Sequence, residues 1–481
     1  MIPVSPTSTH PTGGFRQRVM WGAGGLADNF MFNTLTALGT LVYVNHFKLS
    51  PALAGIALAL PRVIDAFTDI YIGNLSDNTR SRFGRRKPFM LVGLLLSAFL
   101  LPLLWTVPAG PITEQGLPWY GNFTFLYIVF VASLLAVTYT LYVVPYTALG
   151  YELTDDYDER TKIISWRMYI GLPGSLAAGW LFRVASDDYF DNLAQGAFVV
   201  SAFISIIIIV FGILPILGTK ERENVGKNEK VSLWQAFKFV LLNKSFVILF
   251  LAFLAVIVAL FSSQGIAPLL LHHYVFDGDA IRLGNYQGLL GTIGFGMSYV
   301  SMFLIGWIAR QTNKKNALLV ALGLFLVGTA SYFITIQADA GWSLYVSGFI
   351  FFLGGQGAWL MIDSMLGDVC DEDELRSGVR QEGIFSAVKG FGLKFGQGLT
   401  FGVGGFMATY AGYDPMIVEA SGLTDDVAQR MKIYLLGFQC LGFLIAMLCV
   451  CFYPIDRARA QATRDALDAR SRLTAEDKDP I

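Results

Sequence analysis

Long apolar stretches alternate with short polar ones from residue 20 to residue 454. They fall at 20–46, 52–75, 88–107, 123–149, 163–185, 196–218, 244–272, 286–309, 316–336, 343–366, 382–410 and 430–454. Runs such as "FVVSAFISIIIIVFGILPIL" and "SFVILFLAFLAVIVALF" carry no charge. At about 17 to 20 residues, each is long enough as a helix to cross ~30 Å of hydrocarbon. A soluble core can bury one such helix but not a dozen. The pattern predicts an all-α membrane protein of twelve transmembrane helices.

The polar intervals predict how those helices are arranged. One set holds Arg80, Arg82, Arg85, Arg86 and Lys87; Arg160 and Lys162; Lys220, Arg222, Lys227 and Lys230; Arg310, Lys314 and Lys315; and Arg376 and Arg380. The alternate set holds only Lys48, Arg183, Arg282, Arg430 and Lys432. Sixteen cations against five place the first set, and both termini, in the cytoplasm. The interval 219–243 divides the chain into a six-span bundle (1–218) and a second one (244–454), followed by a cytoplasmic tail (455–481). The second part of that interval reads as an amphipathic helix lying along the membrane surface. "LGYELTDDYDER" after the fourth span and "LGDVCDEDELR" after the tenth occupy equivalent places, as do "GNLSDNTRSRFGRRKP" and "GWIARQTNKKN". Such an echo suggests a duplicated six-span unit.

Composition agrees with the pattern. The chain is 54% hydrophobic with a mean hydropathy of +0.53 and only 15% charged residues, against about 25% in soluble domains. The net charge of −1 says nothing about nucleic acid, and with no basic face outside the loops no such partner is expected. Cys440, Cys449 and Cys451 fall in the last apolar run and Cys370 in an acidic interval, with no CxxC spacing. Neither a zinc site nor a disulfide framework is expected. The opening "MIPVSPTSTHPTGG" has no apolar h-region, so a cleaved signal peptide is not expected and the first span serves as the targeting signal.

The second span breaks the apolar rule. Arg62, Asp65 and Asp69 are spaced i, i+3 and i+7, which sets them on one helical face. Counted from Pro51 and Ser76, Asp65 lies about 21 Å from one end and about 16 Å from the other, near mid-membrane. A charge there costs about 2.5–3.5 kcal/mol on insertion scales. Two carboxylates about 5 Å apart also repel by ~3 kcal/mol at an effective dielectric of 20. Either one is protonated at neutral pH or a cation visits the pair, and both conditions describe an ion-coupling site. An internal Arg62–Asp65 pair that only ties helices together is the alternative, and it leaves the second carboxylate unexplained.

Other polar residues lie at similar depth. Asp28 is about 15 Å along the first span from Arg18, and Thr140 about 15 Å from Gly150 in the fourth. A threonine hydroxyl is an oxygen ligand suited to a hard cation, although in a membrane helix it more often bonds a neighbouring helix. Arg167 starts the fifth span and Lys389 lies in the eleventh, corresponding positions in the two halves. Lys389 is about 13 Å past Arg380, which strains the reach of a snorkelling side chain. Arg167 could equally be an interfacial anchor.

At these residues the sequence resembles the glycoside–pentoside–hexuronide:cation symporters, the melibiose permease branch of the major facilitator superfamily. The specific match is Arg62-x-x-Asp65-x-x-x-Asp69, Gly73 and "SDNTRSRFGRRKP". "GLAD" ending at Asp28, Tyr139–Thr140 followed by Pro145, "SWR" ending at Arg167 and "VKG" around Lys389 extend the match over nearly the whole chain. The resemblance implies a fold of two six-helix bundles. It also implies that Asp65, Asp69 and Thr140 bind the coupling cation, Na⁺ or H⁺, with no other cofactor, and that Asp28, Arg167 and Lys389 line the substrate cavity. Melibiose-type members have an Asp where Val143 stands and a Trp where Thr147 stands. An Asp there would bond sugar hydroxyls and a Trp would stack on the ring, so the match argues against a galactoside. Lysolipid transporters of the same branch keep an amphiphile open as substrate.

The function expected is therefore alternating-access symport by a monomer in the cell membrane, with a small molecule and the bilayer as its partners. Arg62, Arg80, Arg85, Arg86, Glu152 and Asp368 are the candidate salt-bridge and gating residues. The loop cations, Arg82 among them, are expected to pair with Glu152, Asp155 and Asp156 and with Asp368 and Asp371. Two acidic runs, "DDYDE" (155–159) and "DVCDED" (368–373), allow a rival: an intramembrane Mg²⁺-dependent prenyltransferase-like enzyme. That rival leaves Asp65 and Asp69 without a task. A receptor that binds without transporting is a third option.

Overall fold

The computed structural model describes residues 14–108, 122–154, 157–219, 221, 238–338, 340–379 and 381–476. Its first half holds α1 (Phe15–Gly22), α2 (Gly24–Leu41), α3 (Pro51–Asn78), α4 (Lys87–Leu103), α5 (Phe123–Glu152), α6 (Tyr157–Ala178), α7 (Leu181–Ala185) and α8 (Leu193–Gly218). The second half holds α9 (Lys244–Phe261), α10 (Ala267–Leu270), α11 (Ala280–Gln311), α12 (Lys314–Thr335), α13 (Ser343–Ser377), α14 (Glu382–Tyr410), α15 (Pro415–Ser421), α16 (Asp425–Cys451) and α17 (Arg457–Glu476). Every apolar stretch of the sequence carries at least one of these helices. Among the described residues, seven are long and apolar enough to cross a membrane: α5, α8, α9, α11, α12, α13 and α16.

Polar side chains set where several helices begin. Asn122, Asn192, Asn243 and Asn313 each accept a hydrogen bond from the backbone N–H three residues on, at α5, α8, α9 and α12. Each thereby satisfies an amide that the helix leaves unpaired. One expectation fails at the other end of α13. "LGDVCDEDELR" is not a loop but the last turns of that helix, which runs on to Ser377 and stops at Gly378 with φ +82°. Leu, Glu and Arg favour helix, and a left-handed residue that glycine tolerates supplies the stop. Cys370 is consequently a buried helical residue. The tail expected at 455–481 contains α17, which packs on α13. The amphipathic helix expected in the second part of 219–243 lies largely outside the described residues.

Contacts divide the chain into two compact units. The first comprises Met1–Leu49 and Leu60–Lys227. In it α2 packs on α6 and α8, and α4 on α5 and α8. Small residues allow close approach: a Cβ on Gly93 would lie 2.6 Å from the Tyr142 amide of α5, and one on Gly25 2.6 Å from the Arg167 carbonyl of α6. Trp21 Nε1 donates to the Tyr146 carbonyl at 3.1 Å while the Tyr146 hydroxyl donates to the Trp21 carbonyl at 3.0 Å, a reciprocal brace between α1 and α5.

The second unit comprises Ser50–Ala59 and Asn228–Ile481. The first nine residues of α3 therefore pack with α14. The Ala52 amide donates to Thr409 Oγ1 at 3.1 Å, and a Cβ on Gly55 would lie 2.7 Å from the Phe401 carbonyl. In this unit α13 packs on α11 and α12, and α9 on α16. Phe325 of α12 stacks on Phe443 of α16 with ring centroids 5.1 Å apart. The "GFGLKFGQG" segment is helical within α14, and Gly396 sits so close that a Cβ would meet Ile257 at 2.9 Å.

Candidate functional site

Two polar groups form within the first unit, and adjacent residues of α5 belong to them. Tyr139 donates its hydroxyl to Asp28 Oδ1 of α2 at 2.9 Å, and Arg167 of α6 donates to Asp28 Oδ2 at 2.8 Å. Thr140 donates its hydroxyl to Asp65 Oδ1 of α3. Thr68 Oγ1 lies 3.3 Å from Thr140 Oγ1 and donates to the Asp65 carbonyl at 3.2 Å. Helical geometry explains the split: neighbouring residues point about 100° apart, so one step of α5 faces α2 and the next faces α3.

The oxygen group is withdrawn from solvent. Asp65 is 1% exposed and Thr140 0%. Asp69 stands one turn farther along α3 and is half-buried. A carboxylate and two hydroxyls in a site of low dielectric offer hard oxygen ligands, the donor set that alkali and alkaline-earth cations take. They equally offer a proton a carboxylate to occupy.

Arg62 is held differently from the expectation of a salt-bridge residue. Its guanidinium donates to the Phe32 carbonyl at 3.1 Å and the Thr36 hydroxyl at 3.4 Å, and lies 4.0 Å above the Phe32 ring. Weakly hydrated and planar, guanidinium suits such a stack better than an ammonium does. Arg62 thus ties α3 to α2 one turn before the acids. Arg167 likewise has an aromatic neighbour, with its guanidinium 5.3 Å from the Tyr146 ring.

The second unit contains Lys389. Its ammonium pairs with Asp363 of α13 and lies 5.2 Å from the Phe253 ring. The side chain of Asp363 is 62% exposed, so this pair faces open space.

The gating candidates fall into two local clusters. Arg85 donates to both oxygens of Glu152 at 2.6 Å, and Arg86 reaches Glu152 at 2.8 Å and Asp77 at 2.7 Å. Beside them the Glu221 carboxylate accepts from the backbone amides of Arg85, Arg86 and Lys87 at 2.7, 3.1 and 3.0 Å. Arg80 is exposed and makes no ion pair among the described residues, and two of its expected partners lie outside them. Asp368 is also held locally. It pairs with Lys314 at 2.6 Å and Arg464 at 3.2 Å, and Asp371 with Arg464 at 3.5 Å, all in its own unit. Local cations reach these acids first: Lys314 opens the neighbouring helix and α17 lies against α13. Asp155 and Asp156 lie outside the described residues. Three of the four acids of the second run are thus engaged by cations, Glu372 by Arg459.

Three residues escaped the sequence reading. Thr68 was signalled by its position three residues after Asp65, on the same face. Tyr139 was visible only as the neighbour of Thr140. Asp363 was an acid inside an apolar run, and its spacing named no partner.

Comparison with known proteins bears on the family and the fold. The family model described as MFS/sugar transport protein matches residues 20–457. An isoprimeverose transporter of Lactiplantibacillus pentosus is 23% identical over 458 residues, spanning 93% of this chain and 90% of its own. A sodium-dependent lysophosphatidylcholine symporter of Danio rerio is 26% identical over 475 residues, spanning 89% and 84%. Among solved structures, an inward-facing bacterial homologue of the human lysosomal transporter Spinster superposes with a TM-score of 0.65 at 13% identity, covering 96% of this chain and 98% of that one. At that identity the likeness establishes the fold. Long apolar helices and a transporter family together make this an integral membrane protein. The chain belongs to the MFS/sugar transport protein family, in the glycoside–pentoside–hexuronide:cation symporter branch of the major facilitator superfamily.

Proposed function

We propose that the chain is a secondary symporter that couples Na⁺ or H⁺ entry to uptake of a sugar, glycoside or uronide by alternating access. It would act as a monomer in the cell (inner) membrane with both termini cytoplasmic. The observation that carries this reading is the pair of adjacent residues on α5: Tyr139 bonds Asp28 and Thr140 bonds Asp65. A cation bound by Asp65, Asp69 and Thr140 fixes α5 against α3. The same rotation of α5 sets Tyr139 against Asp28, and Asp28 with Arg167 presents a charged acceptor and donor pair to substrate hydroxyls. The family resemblance also assigns Lys389 to substrate binding, and within its own unit that lysine is held by Asp363. Two sites that share one rigid element bias each other's occupancy, and the coupling is reciprocal.

A second reading, an amphiphile as substrate, is favoured by Val143, an apolar residue where melibiose-type members have an Asp. The Danio rerio lysophosphatidylcholine symporter among the relatives supports it too. Uptake into vesicles holding the purified protein, under Na⁺, Li⁺ or pH gradients, tests both readings with glycosides and lysolipids as substrates. Asp65→Asn and Asp69→Asn variants that keep full cation-stimulated uptake would overturn the site assignment.

A further inference from the structure

The second unit has a cavity of 290 Å³ where α17 meets the start of α12 and the end of α11. Its lining includes Arg310, Lys314, Lys315, Arg457 and Arg464, with only Asp368 and Asp456 as acids. Lys314 and Arg464 are offset together by Asp368 and by Asp371, which also pairs with Arg464. The others are held without a carboxylate among the described residues. Lys315 donates to the carbonyls of Cys451 and Tyr453 at 2.7 and 3.2 Å, and Arg457 to those of Arg310 and Thr312 at 3.3 and 3.4 Å. These carbonyls belong to the ends of α16 and α11, each equivalent to about half a negative charge. Backbone carbonyls fix where a cation sits but cancel only part of its charge. Arg310 makes no ion pair among the described residues, and it too lines the cavity. About one to two positive charges thus stay uncompensated around an open cavity with room for a phosphate group.

We infer that this cavity binds a phosphate-bearing anion, taken either from an anionic lipid head group or from a free phosphate. Guanidinium forks match phosphate oxygens bidentately, and an ammonium adds a point charge. Basic pockets at the ends of membrane helices take lipid head groups by this chemistry. Helix C-capping accounts for Lys315 and Arg457, and Asp368 and Asp371 for Arg464, but neither accounts for Arg310 on the same cavity. An anion there would bridge α17 to α11 and α12, and so hold the C-terminal helix on the bundle.

The test is thermal unfolding of the purified full chain. One arm adds inorganic phosphate against chloride at equal ionic strength. The other adds short-chain phosphatidylglycerol against a monoacylglycerol of equal chain length, which lacks the phosphate. A rise in Tm with a phosphate-bearing probe is expected, lost in Lys315→Gln/Arg457→Gln and at least halved in Arg310→Gln. Response to phosphatidylglycerol alone assigns a lipid head group, and response to inorganic phosphate assigns the free anion. Arg310→Gln breaks no bond among the described residues, so its Tm without probe should equal that of the parent, and it decides the matter if the double variant does not fold. No response in the parent chain, or an undiminished response in the variants, overturns the inference.

Discussion

Asp28 of α2 and Arg167 of α6 form an ion pair at 2.8 Å with side chains only 15% and 28% exposed. Gly25, one turn before Asp28, is what lets them meet: its missing side chain admits the Arg167 backbone. Removing one partner leaves the other charge poorly solvated and unpaired, which costs more than the pair contributes.

Arg167→Gln should therefore lower stability by about 1–3 kcal/mol and abolish uptake. Asp28→Asn/Arg167→Gln should recover most of the lost Tm, because no stranded charge is left, but no uptake. Thermal unfolding and vesicle uptake on the same preparations separate the two effects. Recovery of uptake in the double variant would make the pair purely structural.

Thr140→Val keeps shape and removes the hydroxyl that Asp65 accepts from. A hydrogen bond to a charged group contributes about 1.5–3 kcal/mol, so the coupling cation's half-saturating concentration should rise roughly 10- to 100-fold. Thr140→Ser should lie within a few-fold of the parent. Cation titration of uptake checks both, and equal behaviour of Val and Ser variants would show that the hydroxyl is not a ligand.

Some of this arrangement was legible along the chain and some was not. Spacing fixes which residues of one helix share a face, so the Arg62, Asp65 and Asp69 ladder could be read from its intervals. Polar side chains deep in apolar runs marked Asp28, Thr140, Arg167 and Lys389 as residues needing partners, and Asp28 and Arg167 did prove to be each other's. Partner choice between helices is set by packing, which has no period. That is why Lys314 and Arg464 could not be named as the partners of Asp368, and why Asp363 beside Lys389 went unseen. The acidic run at 366–376 misled for a related reason: charge argues for solvent exposure, not against helix.

That latch in the second unit makes its own prediction. Asp368 is 5% exposed and accepts from both Lys314 and Arg464, so one carboxylate joins α13 to α12 and α17. Asp368→Asn should destabilise the chain by about 2–4 kcal/mol, as one buried acceptor leaves two cations facing each other. Amide exchange over residues 457–470 should accelerate at least tenfold, while exchange in the first unit stays as it was. Uniform acceleration throughout would mean that Asp368 supports the whole fold and not the C-terminal helix.

The start of α4 offers the sharpest local test. Glu221 satisfies three amides at that helix start, where a negative charge is also favoured by the helix dipole. Gly84 makes the approach possible in two ways. Its φ of +102° suits glycine, and a Cβ there would lie 2.6 Å from the Glu221 carboxylate. Glu221→Ala should cost about 1–2 kcal/mol, the loss of a strong cap. Gly84→Ala should cost about 1–3 kcal/mol through backbone strain and by expelling the same carboxylate. Because both changes break one contact, the double variant should be less destabilised than the sum of the singles. Thermal unfolding of the four proteins, with amide exchange at Arg85, Arg86 and Lys87, measures that coupling. Strict additivity would mean that the carboxylate and the glycine act independently, and that Glu221 is not what holds the turn before α4.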